Sequence, residues 1–394
     1  MIGFGIVMPV LPQLIMHLGE LTVDEAAIWA GWLGAGYAAM QFVFAPILGN
    51  LSDRFGRRPI LLASIFAFGI DYILMGFAPS LWWLVAGRVV AGLTGASFSA
   101  AYAYLADVTE PEKRAQSFGL MGMAFGLGFI LGPALGGFLG EIGPRIPFYA
   151  AGALALANFV FGFFFLKESL APENRRPFRL ARANAFSALR ALSHQSPTVL
   201  WFVASLGLWQ LSHLVYPAIW AYFAIAAYGW SEWQIGLSLM VVGIGSALVQ
   251  GLGIRLMLPV LGEARAVALG IATVCAVSLV YAFVRTDWVI YAALLVGGLQ
   301  GLVMPSINSL NSRAVDASSQ GELQGATQAV GSIAAIVGPP MYTLVFASFA
   351  GEDAGLYLPG MPLLLSAALA LATLALFLYA RLRLSASAAR SALD

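Results

Sequence analysis

The stretch Gly49-Asn50-Leu51-Ser52-Asp53-Arg54-Phe55-Gly56-Arg57-Arg58-Pro59 decides how this chain is read. It sets one acid, three arginines and two glycines between two long apolar segments. The spacing predicts a charged, tightly turned loop of about nine residues at a membrane face, a moving joint between two helices. Glycines at 49 and 56 suit close approach and sharp turning. Asp53 can accept hydrogen bonds from a helix N-terminus or from an arginine. Asp107 is a candidate partner acid, so Gly49, Asp53, Arg54, Gly56, Arg57, Arg58 and Asp107 make up a candidate conformational latch. The matching region of the second half, Gly251 to Arg265, keeps only Gly262-Glu263-Ala264-Arg265. The two halves are therefore expected to be latched unequally.

Working outward, the chain has 394 residues, 60% hydrophobic and 10% charged, whereas a soluble domain carries about 25% charged residues. Such a chain cannot cover a water-facing surface, so lipid is its main solvent. A formal net charge of +1 gives no bulk attraction to nucleic acid. The one cysteine, Cys275, cannot form an internal disulfide. No Cys/His cluster has metal-ligand spacing, and neither paired acids nor a Ser/His/Asp constellation is present. The expectation is a protein without metal, cofactor or enzymatic activity.

Segments long and apolar enough to cross a bilayer run at 26–48, 59–78, 81–104, 116–140, 147–166, 198–224, 233–253, 266–284, 288–308, 322–347 and 359–380. Segment 1–16 is apolar but too short to cross alone. It has no basic leader and no small-residue cleavage site. It is expected to be a first helix whose beginning lies upstream, with about ten to twenty further apolar residues. Of the 20 lysines and arginines, only Arg145 and Arg285 fall in loops assigned outside when the 49–59 loop is inside, and Arg88 lies within a span. By the positive-inside rule both termini are cytoplasmic. The longest hydrophilic stretch, 167–197, divides the chain into a six-helix bundle over 1–166, a cytoplasmic central linker over 167–197, and a second six-helix bundle over 198–394. Part of the linker, Ala181 to Leu192, is a candidate surface helix.

The halves repeat each other. Gly132-Pro133 recurs as Gly338-Pro339 and Gly119 as Gly325, each 206 residues on. A tandem repeat of six spans is the plan of transporters whose site lies between two parallel halves.

On these residues the chain resembles a known family. The 49–59 stretch matches the Gly-x-Leu-x-Asp-Arg-x-Gly-Arg-Arg pattern between helices 2 and 3 of the major facilitator superfamily. Gly87-Arg88-Val89-Val90-Ala91-Gly92 resembles its helix 4 motif. The run from Gly128 to Gly137, with Gly132, Pro133 and Gly136, resembles the helix 5 motif of its drug:proton antiporters. Met8-Pro9-Val10-Leu11-Pro12, Phe44-Ala45-Pro46, Asp71-Tyr72, Ala106-Asp107-Val108-Thr109 and Gln320 to Gly325 resemble the tetracycline-efflux branch. The resemblance implies an all-α, twelve-helix membrane fold of two six-helix bundles related by a pseudo-two-fold, working as a monomer in a bacterial inner membrane. It implies export of a small, largely apolar compound, possibly tetracycline-related, in exchange for protons. The chain departs from the branch at three places. It begins just after the position of the branch's helix 1 acid, and it carries Ser246 and Val274 where tetracycline exporters have a His and an Asp.

Asp71 lies about 12 residues into the third span, roughly 18 Å along its axis and near mid-bilayer. An acid there costs at least ~2.5 kcal/mol to insert. Burial makes its charged form costly, which makes it a candidate for exchanging protons. Arg88 stays charged and must face protein or a watery cavity. It is a second proton-coupling candidate, and His213 is a third. Glycines 128, 132, 136 and 140 form a ridge without side chains on the fifth span, suited to close helix approach and to a seal or pivot. The resemblance places Gln41, Phe98, Gln210, Asn308 and Gln328 on helices lining the substrate cavity. Trp209 and Trp220 are candidates for stacking on a flat ligand. An importer or facilitator of a sugar or organic acid is the alternative function, but it calls for more polar and basic groups in the spans than Arg88 alone.

Overall fold

The structure, a computed structural model, describes residues 2–110, 113–178, 197–313, 320–351 and 354–391. The candidate surface helix from Ala181 to Leu192 lies outside them. Among the described residues the regular structure is helical, with no strand. In chain order the helices are α1 (Ile2–Val7), α2 (Leu11–Gly19), α3 (Val23–Phe55), α4 (Arg57–Gly76), α5 (Leu81–Gly95), α6 (Phe98–Val108), α7 (Arg114–Ile142) and α8 (Ile146–Phe165). There follow α9 (Pro197–His213), α10 (Val215–Tyr228), α11 (Glu232–Leu248), α12 (Ile254–Phe283), α13 (Asp287–Gly297), α14 (Val303–Arg313), α15 (Gln320–Ala350) and α16 (Met361–Ser391). A π turn over Val249–Gly253 joins α11 to α12, and a 3-10 turn over Gly298–Leu302 joins α13 to α14. In hydrocarbon every backbone N–H and C=O must be satisfied within the chain, and helices do this locally.

Ten helical stretches among the described residues are long and apolar enough to cross a membrane, one of them the 52-residue run Glu232–Phe283. That run is two spans, because Gly262 breaks it with φ 69° and ψ 163°. The count then agrees with the eleven spans read from hydropathy. Pro9 and Pro12 punctuate the short first segment, where α1 and α2 are separate pieces.

The charged stretch differs from its expected form. It is not a loop of about nine residues, because α3 stays helical through Phe55 and α4 begins at Arg57. Only Gly56 lies between them, at φ 105° and ψ 158°. Charged residues beyond the hydrocarbon lose nothing by remaining helical. Here Asp53 and Arg57, one turn apart, form an ion pair, and the Ser52 hydroxyl donates to the Gly49 carbonyl at 2.8 Å. Gly49 is thus a helical residue and not part of a turn. A Cβ there would meet Ser99 Oγ at an ordinary 3.6 Å.

The chain divides into two compact units. Residues 1–185 with 230–240 form the first, and residues 186–229 with 241–394 form the second. In the first, α4 packs on α8 and α5, α3 on α5, and α1 on α7. The second has a core of Phe202, Leu206 and Trp209 from α9, Val267, Ile271 and Val274 from α12, Val303 and Ile307 from α14, and Phe377 from α16. The repeated Gly-Pro pairs place Pro133 inside α7 and Pro339 inside α15, both unbroken helices.

Candidate functional site

Two groups of charged residues stand out in the first unit. At the Gly56 turn, Arg57 gathers the charges. Its guanidinium pairs with Asp53, donates through Nε to Asp107 Oδ2 at 3.3 Å, and donates to Ser52 Oγ at 2.7 Å. Arg58 turns the other way and donates to the carbonyl oxygens of Leu166 and Phe163, both at 2.7 Å, so it satisfies the end of α8. Arg54 is exposed and lies over the Phe55 ring. The candidate latch residues Asp53, Arg57 and Asp107 therefore do come together.

The sequence reading missed Glu168. Its carboxylate accepts the backbone N–H of Arg57 at 2.8 Å and of Arg58 at 3.3 Å, which leaves Asp53 free of that task. The first N–H groups of a helix lack partners within it and carry a partial positive charge, so a carboxylate there is doubly favourable. Ser169 adds a hydrogen bond from its hydroxyl to Asp107 Oδ2 at 3.0 Å, and the Arg176 N–H donates to the Asp53 carbonyl at 3.0 Å. The segment after α8 is thus tied to the hinge. Gly56 is needed on two counts, its positive φ and the lack of room for a Cβ, which would stand 2.7 Å from Glu168 Cδ. Glu168→Ala is expected to lower stability by about 1–2 kcal/mol, with Glu168→Gln losing less because an acceptor remains. Thermal unfolding in detergent measures this, and an alanine variant as stable as the parent would contradict it.

The second group is buried in the spans. Asp71 is 3% exposed and its Oδ2 stands 4.0 Å from Arg88 Nη2. Asp71 lies in α4, which begins at Arg57, roughly 21 Å along that helix from its start. Arg88 also donates to Met75 Sδ at 2.8 Å and lies 6.0 Å from the centre of the Tyr37 ring. The Tyr37 hydroxyl accepts from Gln41 Nε2 at 2.8 Å. Three residues singled out in sequence, Gln41, Asp71 and Arg88, thus belong to one polar cluster across α3, α4 and α5. Asp71 Oδ2 is buried without a hydrogen-bond partner, so the carboxylate has unused capacity to bind a proton or a donor. A groove of about 340 Å³ between α4 and α5 includes Asp71 in its wall, with Phe66, Ile70, Leu74, Trp83 and Val90 around it.

The glycine ridge of α7 meets backbone. A Cβ on Gly132 would stand 2.8 Å from Gly5 Cα, and one on Gly136 would stand 2.7 Å from the Ile6 carbonyl carbon. Gly137 faces the start of α11, where a Cβ would be 2.5 Å from the Glu232 carbonyl oxygen. The Gly128 carbonyl oxygen would lie 2.9 Å from a Cβ on Gly5. Phe98, at the start of α6, stacks obliquely on Phe125 of α7 at 5.6 Å and is partly exposed.

The remaining candidates belong to the second unit. His213 ends α9, stacked on Trp209 at 6.0 Å and edge-on to Tyr216 at 5.4 Å. Its surface is accessible, and the Gln300 side chain reaches it. Gln210 lies over Gly331 of α15, Asn308 is half-buried on α14, and Gln328 is exposed on α15. Trp209 and Trp220 are 4% and 3% exposed, so they are packing residues and offer no stacking face. Val274 is 1% exposed within the apolar core. Among the described residues no group of three or more His, Cys, Asp or Glu could hold a metal ion.

Long apolar helices holding a buried acid–base pair, joined through α4 to a charged turn at the helix end, define a multi-pass helical membrane protein. The chain belongs to the Major Facilitator Superfamily, whose family model matches residues 1–339. It is 41% identical over 355 residues to the class C tetracycline resistance protein of Escherichia coli, covering 90% of this chain and 89% of that one. It is 36% identical over 377 residues to the class G tetracycline resistance protein of Vibrio anguillarum, covering 92% and 93%. Among solved structures, the human organic anion transporter MFSD10 (TETRAN) superposes with a TM-score of 0.67 at 22% identity, over 95% of both chains. A bacterial homologue of the human lysosomal transporter Spinster, inward-facing and unoccupied, superposes with a TM-score of 0.73 at 17% identity, over 96% of this chain and 93% of the other. The chain is a transporter and not an enzyme, in the tetracycline-efflux branch of the superfamily.

Proposed function

We propose that this protein exports tetracycline or a related, largely apolar drug from the bacterial cytoplasm in exchange for protons. It does so by alternating access, as a monomer in the inner membrane with both termini cytoplasmic. The observation that carries the reading is the Asp71–Arg88 pair, an acid 3% exposed within a membrane-spanning helix and only 4.0 Å from a permanent cation. Protonation of Asp71 releases Arg88 from its counter-charge, so the polar cluster has two states that a proton selects. Each proton crossing about 100 mV gains ~2.3 kcal/mol, enough for an about fifty-fold drug gradient at ~1.36 kcal/mol per decade. The similarity to tetracycline resistance proteins over most of the chain supports the substrate class. Ser246 and Val274 leave this exporter without two ionisable groups of that branch. Asp71 and Arg88 therefore carry the coupling, and His213 is a second candidate to test. The Arg57 cluster with Asp53 and Asp107 holds the helix ends as a latch, and the α7 ridge is the seal.

The test uses everted membrane vesicles loaded with an internal acid pH by respiration. Adding tetracycline is expected to release protons, seen as recovery of a quenched pH dye, in vesicles bearing this protein and not in control vesicles. Drug accumulation that an uncoupler leaves untouched would refute proton exchange. No accumulation of tetracycline or of any apolar drug tried would refute export.

A further inference from the structure

The Gly56 hinge has a counterpart 206 residues further on. Gly262 has φ 69° and ψ 163°, the same backbone class as Gly56 at φ 105° and ψ 158°. Each glycine is followed by a charged residue that opens a helical segment. After Gly56 this is Arg57, whose Nε stands 3.3 Å from Asp107 Oδ2 near the end of α6. After Gly262 it is Glu263, whose Oε1 stands 2.9 Å from Arg313 Nη2 at the end of α14. Asp107 and Arg313 are themselves 206 positions apart. That one contact is therefore repeated in the second unit with both signs reversed, while the Asp53 leg is not, since the position 206 after Asp53 is Pro259.

The reversal has an electrostatic consequence. The start of a helix carries partial positive charge. Arg57 opposes it, and the first unit supplies Glu168, from 111 residues away, to accept the Arg57 N–H. Glu263 already has the favourable sign at its own helix start. The position 206 after Glu168 is Leu374, an apolar residue packed on the second unit's core. No third carboxylate is needed there, and none is present at that position. Ser309 adds a hydroxyl donor to Glu263 Oε1 at 3.5 Å.

We propose that Glu263 and Arg313 are positioning residues for transport, a charge-reversed second clasp equivalent to Arg57–Asp107. The halves are then both clasped, and the unequal latching expected from sequence gives way to latching of opposite sign. Arg313 is 67% exposed, so the pair adds little to stability; its effect falls on the rate at which the second unit's helix ends are set for each cycle.

The experiment compares Glu263→Arg, Arg313→Glu and the double exchange in the full chain in proteoliposomes. Each single variant is expected to lower the maximal rate of proton-driven tetracycline uptake by about fivefold with little change in KM, and the double exchange to return to within about twofold of the parent, the span that coupled neighbouring pairs show. Single variants with parental rates, or a double exchange as slow as the slower single, would overturn the clasp. The rate measurement rests on the proposed substrate. If the parent protein moves no tetracycline, the same four proteins are compared by thermal unfolding. Each single exchange then sets like charges side by side and is expected to lower the midpoint slightly, and the double exchange to restore it; a double variant lowered by the sum of the two singles overturns the pair.

Discussion

Replacing Gly136 by alanine is expected to lower the protein's thermal midpoint clearly, while Gly126→Ala on the same helix leaves it unchanged. All three nearest neighbours of a Cβ at 136 are backbone atoms of Ile6, including its carbonyl carbon at 2.7 Å and Cα at 2.8 Å. No side chain can rotate out of the way, so α1 and α7 must separate. Overpacking of this kind costs about 1–3 kcal/mol, occasionally more. In lipid the lost contact is not offset by any hydrophobic gain, because helix association there depends on close packing. Gly126 has nothing within 4 Å of a Cβ, and alanine is the better helix former by about 1 kcal/mol. The two variants are to be expressed side by side and compared by size-exclusion profile and thermal midpoint. If they behave alike, the α1–α7 backbone contact is not where the structure has it.

Asp71→Asn is expected to abolish proton-driven export, by at least about tenfold, while tetracycline–tetracycline exchange across the membrane continues. Asparagine keeps the shape of the side chain and removes the titrating group. It also leaves Arg88, with a side chain only 13% exposed, without its partner at 4.0 Å. Removing one member of a buried pair costs about 3–5 kcal/mol, so loss of activity could reflect loss of fold. The pair of variants Asp71→Asn and Asp71→Asn with Arg88→Gln separates the two effects. The double variant removes the orphaned charge and is expected to recover the thermal midpoint without recovering proton coupling. Proton release by either variant at the parental rate would show that Asp71 is not the coupling acid.

Much of this protein could be read before the structure, and the residues it hid share a cause. Asp71 and Arg88 declare themselves because charge inside an apolar run is costly in any fold. The 52-residue run Glu232–Phe283 separates into two spans in hydropathy before Gly262 breaks it in space. Glu168 gave no such signal. It is one acid in a hydrophilic stretch, and its partners are backbone N–H groups, which leave no trace in side-chain identity. The pair Glu263–Arg313 was hidden by its sign, because a repeat sought as a copy of Arg57 cannot be recognised in an acid. The turn itself was misjudged in length, since hydropathy reports where the hydrocarbon ends and not where a helix ends.

What the amino-acid sequence determined alone was the solvent and the apolar spans, because these depend on composition and order along the chain. Tertiary structure decided which polar groups meet. It joined Tyr37 and Gln41 to Asp71 and Arg88 across α3, α4 and α5, seated Glu168 on the first turn of α4, and buried Trp209 and Trp220 as packing. Those outcomes rest on distances of a few ångströms between segments far apart in the chain, which no local pattern of residues encodes.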